Sequence, residues 1–533
     1  MLISPLLGGQ IMLLSEILPV VAAMNPHHVV IQSPSITLTY GELLSRVSSV
    51  AHGLQQLSIE PGDRIALLGN PSPDLVIAEC AAIAIGAIPV TLFPSLTTAE
   101  KVQILQDADP AVIVYDAAAA DMDTIAVQLS QALLVSCDPG YTPNSIAEFI
   151  SYYPPLTSWF HAEPDDIALI IYTGGTTGRA KGVMHSHRSI SHWSFMNPAR
   201  GGGHNPAKKS LVFNQAHLTG QFILWSTLYE GGRLIYPDAY PLEIEDIARI
   251  VEHEEITFLG TVGSQFKELV QLKTKNATRI PSLQGITCGG APISAGTFHQ
   301  AIQVFPGVQI LEVYSQTESG QFISFLAINQ CIREGKLHRL LSVGKPADLA
   351  LWGQHPYSVR IIDENGNDAA PGETGEIICS GGQMMLGYWR NSADTEASLR
   401  NGWLHTGDIG RLDEDGFLYL LDRKKDMIIV DGLNVFCAEV EAILGWHPAV
   451  LEVAVIGTPL TDEGEQVTAV IVPQQGEMIT LLELQEFCTN KLAAFKIPKR
   501  LEIMDSLPKT AVGKINKPEI RKPFWRGRLR QIN

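Results

Sequence analysis

The sequence predicts an α/β fold. Its large N-terminal part would hold two parallel-sheet α/β subdomains and a small β-rich subdomain, followed by a small α+β domain. Three observations point there. Apolar, β-branched runs alternate with longer helical-period segments through most of the chain. After about Val343 turn signals crowd together, as in Asp363-Glu364-Asn365-Gly366 and Asp413-Glu414-Asp415-Gly416. A run of five charged residues, Asp422-Arg423-Lys424-Lys425-Asp426, then separates a last segment of helices and strands. The length, 533 residues, at about 150 per domain predicts three to four folding units.

The elements follow in order. Residues 1–11 read as an upstream extension, and Met12–Ala23 as a short amphipathic helix. That stretch lacks a basic region and carries Glu16 and Pro19, so it does not read as a signal peptide. Tyr40–Gln56, Ile244–His253 and Gly263–Leu272 have helical periodicity. Arg64–Leu68, Ala111–Val114, Ile167–Tyr172, Thr257–Gly260 and Val308–Val313 read as buried strands. Leu75–Phe93 is long enough to span a bilayer, but Glu79 lies inside it and Gly86 and Pro89 interrupt it. It reads instead as a buried helix followed by a buried strand, and no integral membrane segment is expected. Ser358–Ile362, Gly375–Cys379, Phe417–Leu421 and Met427–Val430 are short strands around turns. Ala438–Leu444 and Leu481–Lys491 read as helices, and Val453–Ile456 and Thr468–Val472 as strands.

Composition narrows the function. Lys and Arg total 38 against 56 Asp and Glu, for a formal charge of −18. A strongly acidic chain does not favour a nucleic-acid partner, which needs a positive field. Any polyanionic ligand must be held by local donors. The seven cysteines are scattered, with neither CxxC nor zinc spacing, as expected of reduced thiols in the cytoplasm.

The most informative segment is Thr173-Gly174-Gly175-Thr176-Thr177-Gly178-Arg179-Ala180-Lys181, entered from a strand. Glycines let backbone amides approach a phosphate, threonine hydroxyls add donors, and a lysine adds a point charge. It is neither a Walker A loop nor a GxGxxG fingerprint, because Lys181 is followed by Gly182 and the glycine spacing differs.

This run resembles the phosphate-binding motif of the adenylate-forming superfamily, which groups acyl-CoA synthetases, adenylation domains and beetle luciferases. Gly174 stands where that motif often has Ser, and Ala180 where it often has Pro. Further similar motifs follow in order: Thr39-Tyr40-Gly41-Glu42-Leu43, Gly62-Asp63-Arg64, Cys288-Gly289-Gly290-Ala291-Pro292, Tyr314-Ser315-Gln316-Thr317-Glu318, Trp403-Leu404-His405-Thr406-Gly407-Asp408, Asp422–Asp426, Gly432-Leu433-Asn434-Val435, and Pro508-Lys509-Thr510-Ala511-Val512-Gly513-Lys514. The likeness is closest to fatty-acyl- or aryl-CoA ligases.

The resemblance implies an AMP-binding N-terminal domain over 12–422, a hinge at 423–425 and a mobile C-terminal domain over 426–533. ATP, Mg²⁺ and coenzyme A would be used, with ATP bound by Thr173, Gly174, Gly175, Thr176, Thr177, Gly178 and Lys181. Gly290, Ala291 and Pro292 would form the adenine wall, Tyr314 would stack on the base, and Ser315, Gln316 and Thr317 would continue the site. Glu318 and Thr176 would hold Mg²⁺. Asp408 and Arg423 would take the ribose. Lys514, Glu318 and Thr177 would be catalytic, Lys425 the pivot, and Gly432 part of the thiolation passage. Asp431 and Cys437 depart from the usual Gly and Pro of that segment. His217, Gln221, Gly263 and Gly289 would line the acyl pocket. The acid would be fatty or aryl, because no aspartate stands ready for an α-amino group. The thiol acceptor would be CoA or an acyl carrier protein.

Overall fold

The computed structural model describes residues 6–7, 10–116, 122–138, 144–173, 180–195, 204–213, 215–237, 239–275, 280–290, 293–346, 348, 357–430, 433–460, 464–510 and 514–526. The chain forms two compact units. Met1–Leu340, Gly344–Ser358 and Cys379–Leu404 make the first, and Leu341–Val343, Val359–Ile378 and His405–Asn533 the second.

The first unit contains two mainly parallel sheets. One runs Gly387–Tyr388, Lys181–Ser186, Ile167–Thr173, Ile88–Leu92, Arg64–Leu68, Val112–Tyr115, Leu133–Ser136 across seven strands. Its last five strands are parallel, whereas Lys181–Ser186 pairs antiparallel with both of its neighbours. The other has eight strands: Gly320–Ala327, Gln309–Gln316, Gly285–Gly289, Phe258–Val262, Lys209–Leu211, Arg233–Ile235, Val29–Gln32 and Thr37–Thr39. Here both edge pairs are antiparallel. At these places the chain returns through a short turn, and a short turn cannot make the crossover a parallel pair needs.

Local chemistry explains the helices between them. Thr39 and Glu42 form a reciprocal capping box that starts Tyr40–Gln56. That helix buries Leu43, Val47, Val50 and Leu54 on one face. Ser72 caps Pro73–Ala84, and Leu75 through Ala84 are all buried. A strand, Ile88–Leu92, follows, as the interruptions in that apolar stretch predict. Leu218–Glu230 is buried along nearly its whole length. Phe222 and Trp225 on it belong to the same buried apolar core as Ile77 and Val50 of the two helices above, and burying a Val, Ile or Phe side chain contributes about 1.5–3 kcal/mol on leaving water.

In the second unit, Gly375–Ser380 neighbours Ser358–Ile362 and Trp403–Leu412, and Leu418–Arg423 joins the latter. A hairpin, Ile428–Val430 with Leu433–Val435, follows. A three-stranded sheet, Val450–Pro459, Glu465–Pro473 and Arg500–Ile503, packs its apolar side chains with Val440, Leu444 and Leu484. The charged run 422–426 is only partly a turn, since the strand continues through Asp422 and Arg423. All seven cysteines are buried thiols. Among the described residues no helix is long and apolar enough to cross a membrane.

Candidate active site

The first unit assembles part of the expected nucleotide site at the base of one hairpin. Ile167–Thr173 and Lys181–Ser186 pair so that Lys181 lies opposite Thr173. Gly174, Gly175, Thr176, Thr177 and Gly178 between them lie outside the described residues. Lys181 Nζ sits 2.7 Å from Asp394 Oδ2 and 4.9 Å from the centre of the Tyr388 ring, a cation–π distance. The Tyr388 hydroxyl donates to Glu318 Oε1 at 2.9 Å. Two residues far apart in sequence, Lys181 and Glu318, are thus joined through Tyr388.

Glu318 projects from the tight turn between Gln309–Gln316 and Gly320–Ala327. Ser319 Oγ closes that turn, accepting from Gln316 N–H and donating to Gln316 O. Below it, His185 Nε2 lies 2.9 Å from Thr317 O. Burial pushes His185 down to about 4, so the ring is neutral and its Nε2–H serves the carbonyl. Tyr314 is buried on the incoming strand, and Ser315, Gln316 and Thr317 are half-buried.

Gly289 ends the neighbouring parallel strand opposite Val313. A Cβ there would lie 2.2 Å from Val313 O, so only glycine permits this approach. Gly290 follows in the left-handed region, with φ +75°. Ala291 and Pro292 lie outside the described residues.

The expected acyl-pocket residues divide. Gly263 follows Val262, which pairs with Gly289, so these two glycines are close at adjacent strand ends. His217 caps Leu218–Glu230, with Nδ1 accepting from Thr219 N–H at 3.2 Å. Its ring centre lies 6.1 Å from that of Phe93. Gln221 is tied up in a buried knot. Its Nε2 donates to Glu79 Oε2 and Gln215 O, and its Oε1 accepts from Trp225 Nε1 at 2.9 Å. Gln215 Nε2 donates to the same Glu79 oxygen at 2.8 Å. Desolvation pushes the Glu79 carboxyl up to about 7, against the hydrogen bonds that lower it.

The second unit holds the remaining expected residues. Asp408 and Arg423 are cross-strand partners, with Arg423 Nε 3.0 Å from Asp408 Oδ1. Asp408 is buried and Arg423 about half exposed. The Lys425 carbonyl accepts from Arg521 Nη1 at 3.2 Å, and burial lowers the Lys425 ammonium from its ordinary range. Lys514 N–H donates to Thr510 Oγ1, and Thr510 N–H donates to Lys514 O at 2.7 Å. Gly432 lies outside the described residues.

Sequence reading missed Tyr388, Asp394 and Gln215. Gly387-Tyr388-Trp389-Arg390 was the available signal for the first, because two aromatics after a glycine suit a packed strand. No local pattern marks the other two.

Known proteins share this architecture. Residues 18–389 match the AMP-binding enzyme family, and residues 439–514 match the AMP-binding enzyme C-terminal domain. A feruloyl-CoA synthase of Amycolatopsis is 32% identical over 507 residues, covering 94% of this chain and 97% of that protein. A medium/long-chain-fatty-acid–CoA ligase of Mycobacterium tuberculosis is 31% identical, with coverage of 93% and 87%. Among solved structures, the amide bond synthetase McbA of Marinactinospora thermotolerans superposes with a TM-score of 0.85 at 27% identity, over 96% of this chain and 99% of that one. The o-succinylbenzoate CoA synthetase MenE of Bacillus subtilis, in complex with its acyl-adenylate intermediate, gives 0.81 at 26% identity, over 95% and 97%.

Proposed function

This chain belongs to the AMP-binding enzyme family, and from that premise we propose that it is an ATP-dependent carboxylic acid–CoA ligase acting on a fatty or aryl acid. It joins the carboxylate to AMP, releases pyrophosphate, and passes the acyl group to the thiol of coenzyme A. Relatives named for feruloyl-CoA and for fatty acids, at nearly equal identity, support the acid class without choosing within it.

The reaction brings two anions together, the carboxylate and the α-phosphate. Preorganised cations and donors must offset their repulsion. The observation that carries the reading is the cluster at the hairpin base, where Lys181, Tyr388 and Glu318 meet beside the end of the phosphate-loop strand. Glu318 offers a hard oxygen ligand suited to Mg²⁺. Its Oε1 accepts from the Tyr388 hydroxyl, and among the described residues no hydrogen bond reaches Oε2. When bound, Mg²⁺ would neutralise phosphate charge. Asp408 is the proposed acceptor for the ribose hydroxyls, held in place by Arg423. Lys514 is proposed to stabilise charge as the mixed anhydride forms. Thr173 and Gly290 would border the phosphates and the adenine, and Lys425 would be the pivot between two half-reactions. His217, Gly263 and Gly289 would shape the acyl pocket, while Gln221 would set its buried wall from within the Glu79 knot.

A second reading changes only the acceptor, to a carrier-protein phosphopantetheine thiol. The structural likeness to an amide bond synthetase favours keeping it, because acceptors vary on this fold. Pyrophosphate release across a panel of fatty and aryl acids, with CoA, carrier protein or neither, separates the two. CoA consumption matched to pyrophosphate supports the first. Acyl-AMP that loads only the carrier protein supports the second. No pyrophosphate with any acid contradicts both.

A further inference from the structure

Tyr388 is placed with unusual care for a residue beside a carboxylate. Its strand pairs with Val183. Its N–H donates to Thr395 Oγ1 at 2.9 Å, and Thr395 Oγ1 in turn donates to Asn391 O at 2.8 Å. The Lys181 ammonium lies over its ring and is itself held by Asp394. The segment 387–395 therefore fixes the ring by its backbone and its face. The phenolic hydroxyl is the donor and the Glu318 carboxylate the acceptor.

We propose that Tyr388 is a positioning residue that aims Glu318 at the divalent cation accompanying ATP, by holding one carboxylate oxygen and leaving the other for the ion. The proposal rests on the reading of Glu318 as the cation ligand given above. Glu318 stands half-buried on the tight turn before Ser319, and the Tyr388 hydroxyl is the one side-chain group hydrogen-bonded to its carboxylate among the described residues. Without that bond the carboxylate would sample several rotamers, and each must be given up when the cation binds. A hydrogen bond to a charged group corresponds to roughly a 10- to 150-fold change in binding. Tyr388 transfers no proton and forms no covalent bond. Its effect passes through Glu318.

The test is calorimetric binding of ATP to the full chain, with Mg²⁺ and in excess chelator, for wild type, Tyr388→Phe, Glu318→Gln and the double variant. Mg·ATP binding should weaken roughly 10- to 150-fold in Tyr388→Phe, while metal-free ATP binding changes less than about twofold. The double variant should bind no worse than Glu318→Gln alone, because both changes remove one arrangement. Thr395→Val, which cuts the backbone anchor without touching Glu318, should show a smaller loss in the same direction. It carries the test if Tyr388→Phe does not fold. Unchanged Mg·ATP binding, an equal loss with and without metal, or additivity in the double variant would overturn the proposal. If wild type binds Mg·ATP but Glu318→Gln binds it equally well, the reading of Glu318 fails first.

Discussion

Replacing Glu79 by glutamine should flatten the dependence of the first unit's stability on pH. Glu79 is fully buried in Pro73–Ala84. Its Oε2 accepts from Gln215 and Gln221, and its Oε1 has no hydrogen-bond partner among the described residues. Burial is the dominant influence and raises the carboxyl from 4.5 to about 7. A raised acid pKa means that the folded state holds its proton longer than the unfolded chain. The stability it contributes is complete below the unfolded value, and it is lost as pH rises through the folded one. A rise of that size corresponds to about 3 kcal/mol, from about 1.36 kcal/mol per unit. Glutamine keeps the size, the acceptor and a donor but does not ionise. Urea unfolding followed by tryptophan fluorescence at pH 5 and pH 8 measures the effect, and Trp225 within the knot is a local reporter. Between those values wild type should lose up to about 3 kcal/mol relative to Glu79→Gln. The comparison cancels every other titrating group, Glu312 included. An identical pH dependence in the two proteins would refute the buried, protonated carboxyl.

Three further outcomes follow from the same structure. Lys208 and Glu230 form a buried ion pair at 2.9 Å, so Lys208→Met should cost about 3–5 kcal/mol in urea unfolding by leaving a lone buried charge. Pairing it with Glu230→Leu should restore most of that. Gly344 has φ +95°, and a Cβ there would lie 1.7 Å from Phe325 O. Gly344→Ala should therefore cost more than about 3 kcal/mol and lower soluble yield, whereas an exposed glycine such as Gly366 should tolerate alanine far better. Lys514→Ala should reduce acyl-AMP formation by at least about 10²–10³-fold while sparing acyl transfer from supplied acyl-AMP. Equal loss in both assays would contradict a lysine reserved for the first half-reaction.

Much of the fold was legible because local and tertiary signals agree. Tyr40–Gln56 carries its own cap and a single apolar face, and the helix begins and ends where the sequence reads it. Leu218–Glu230 carries neither a narrow apolar stripe nor charged flanks. Burial on all sides removes the polar face that gives a helix its period. The antiparallel strands Lys181–Ser186 and Gly320–Ala327 were also missed, since strand direction depends on where the chain returns rather than on composition. Site residues that lie within one contiguous motif, such as Tyr314 to Glu318, could be read together. Tyr388 and Asp394 could not, because their partners Glu318 and Lys181 lie far away in sequence. Gln221 shows the converse. It reads as a pocket residue by position, yet its amide is committed to Glu79, Gln215 and Trp225, and nothing near it in sequence marks Glu79 as a partner.

The central claim, that the carboxylate is activated through AMP, is tested most directly by isotope transfer. A substrate acid labelled with ¹⁸O in both carboxyl oxygens is incubated with ATP, Mg²⁺, CoA and the enzyme, and the nucleotide is analysed by mass spectrometry. The account predicts AMP carrying one ¹⁸O atom, left behind when the thiol takes the acyl group. Label in inorganic phosphate, with ADP as the nucleotide product, would contradict it.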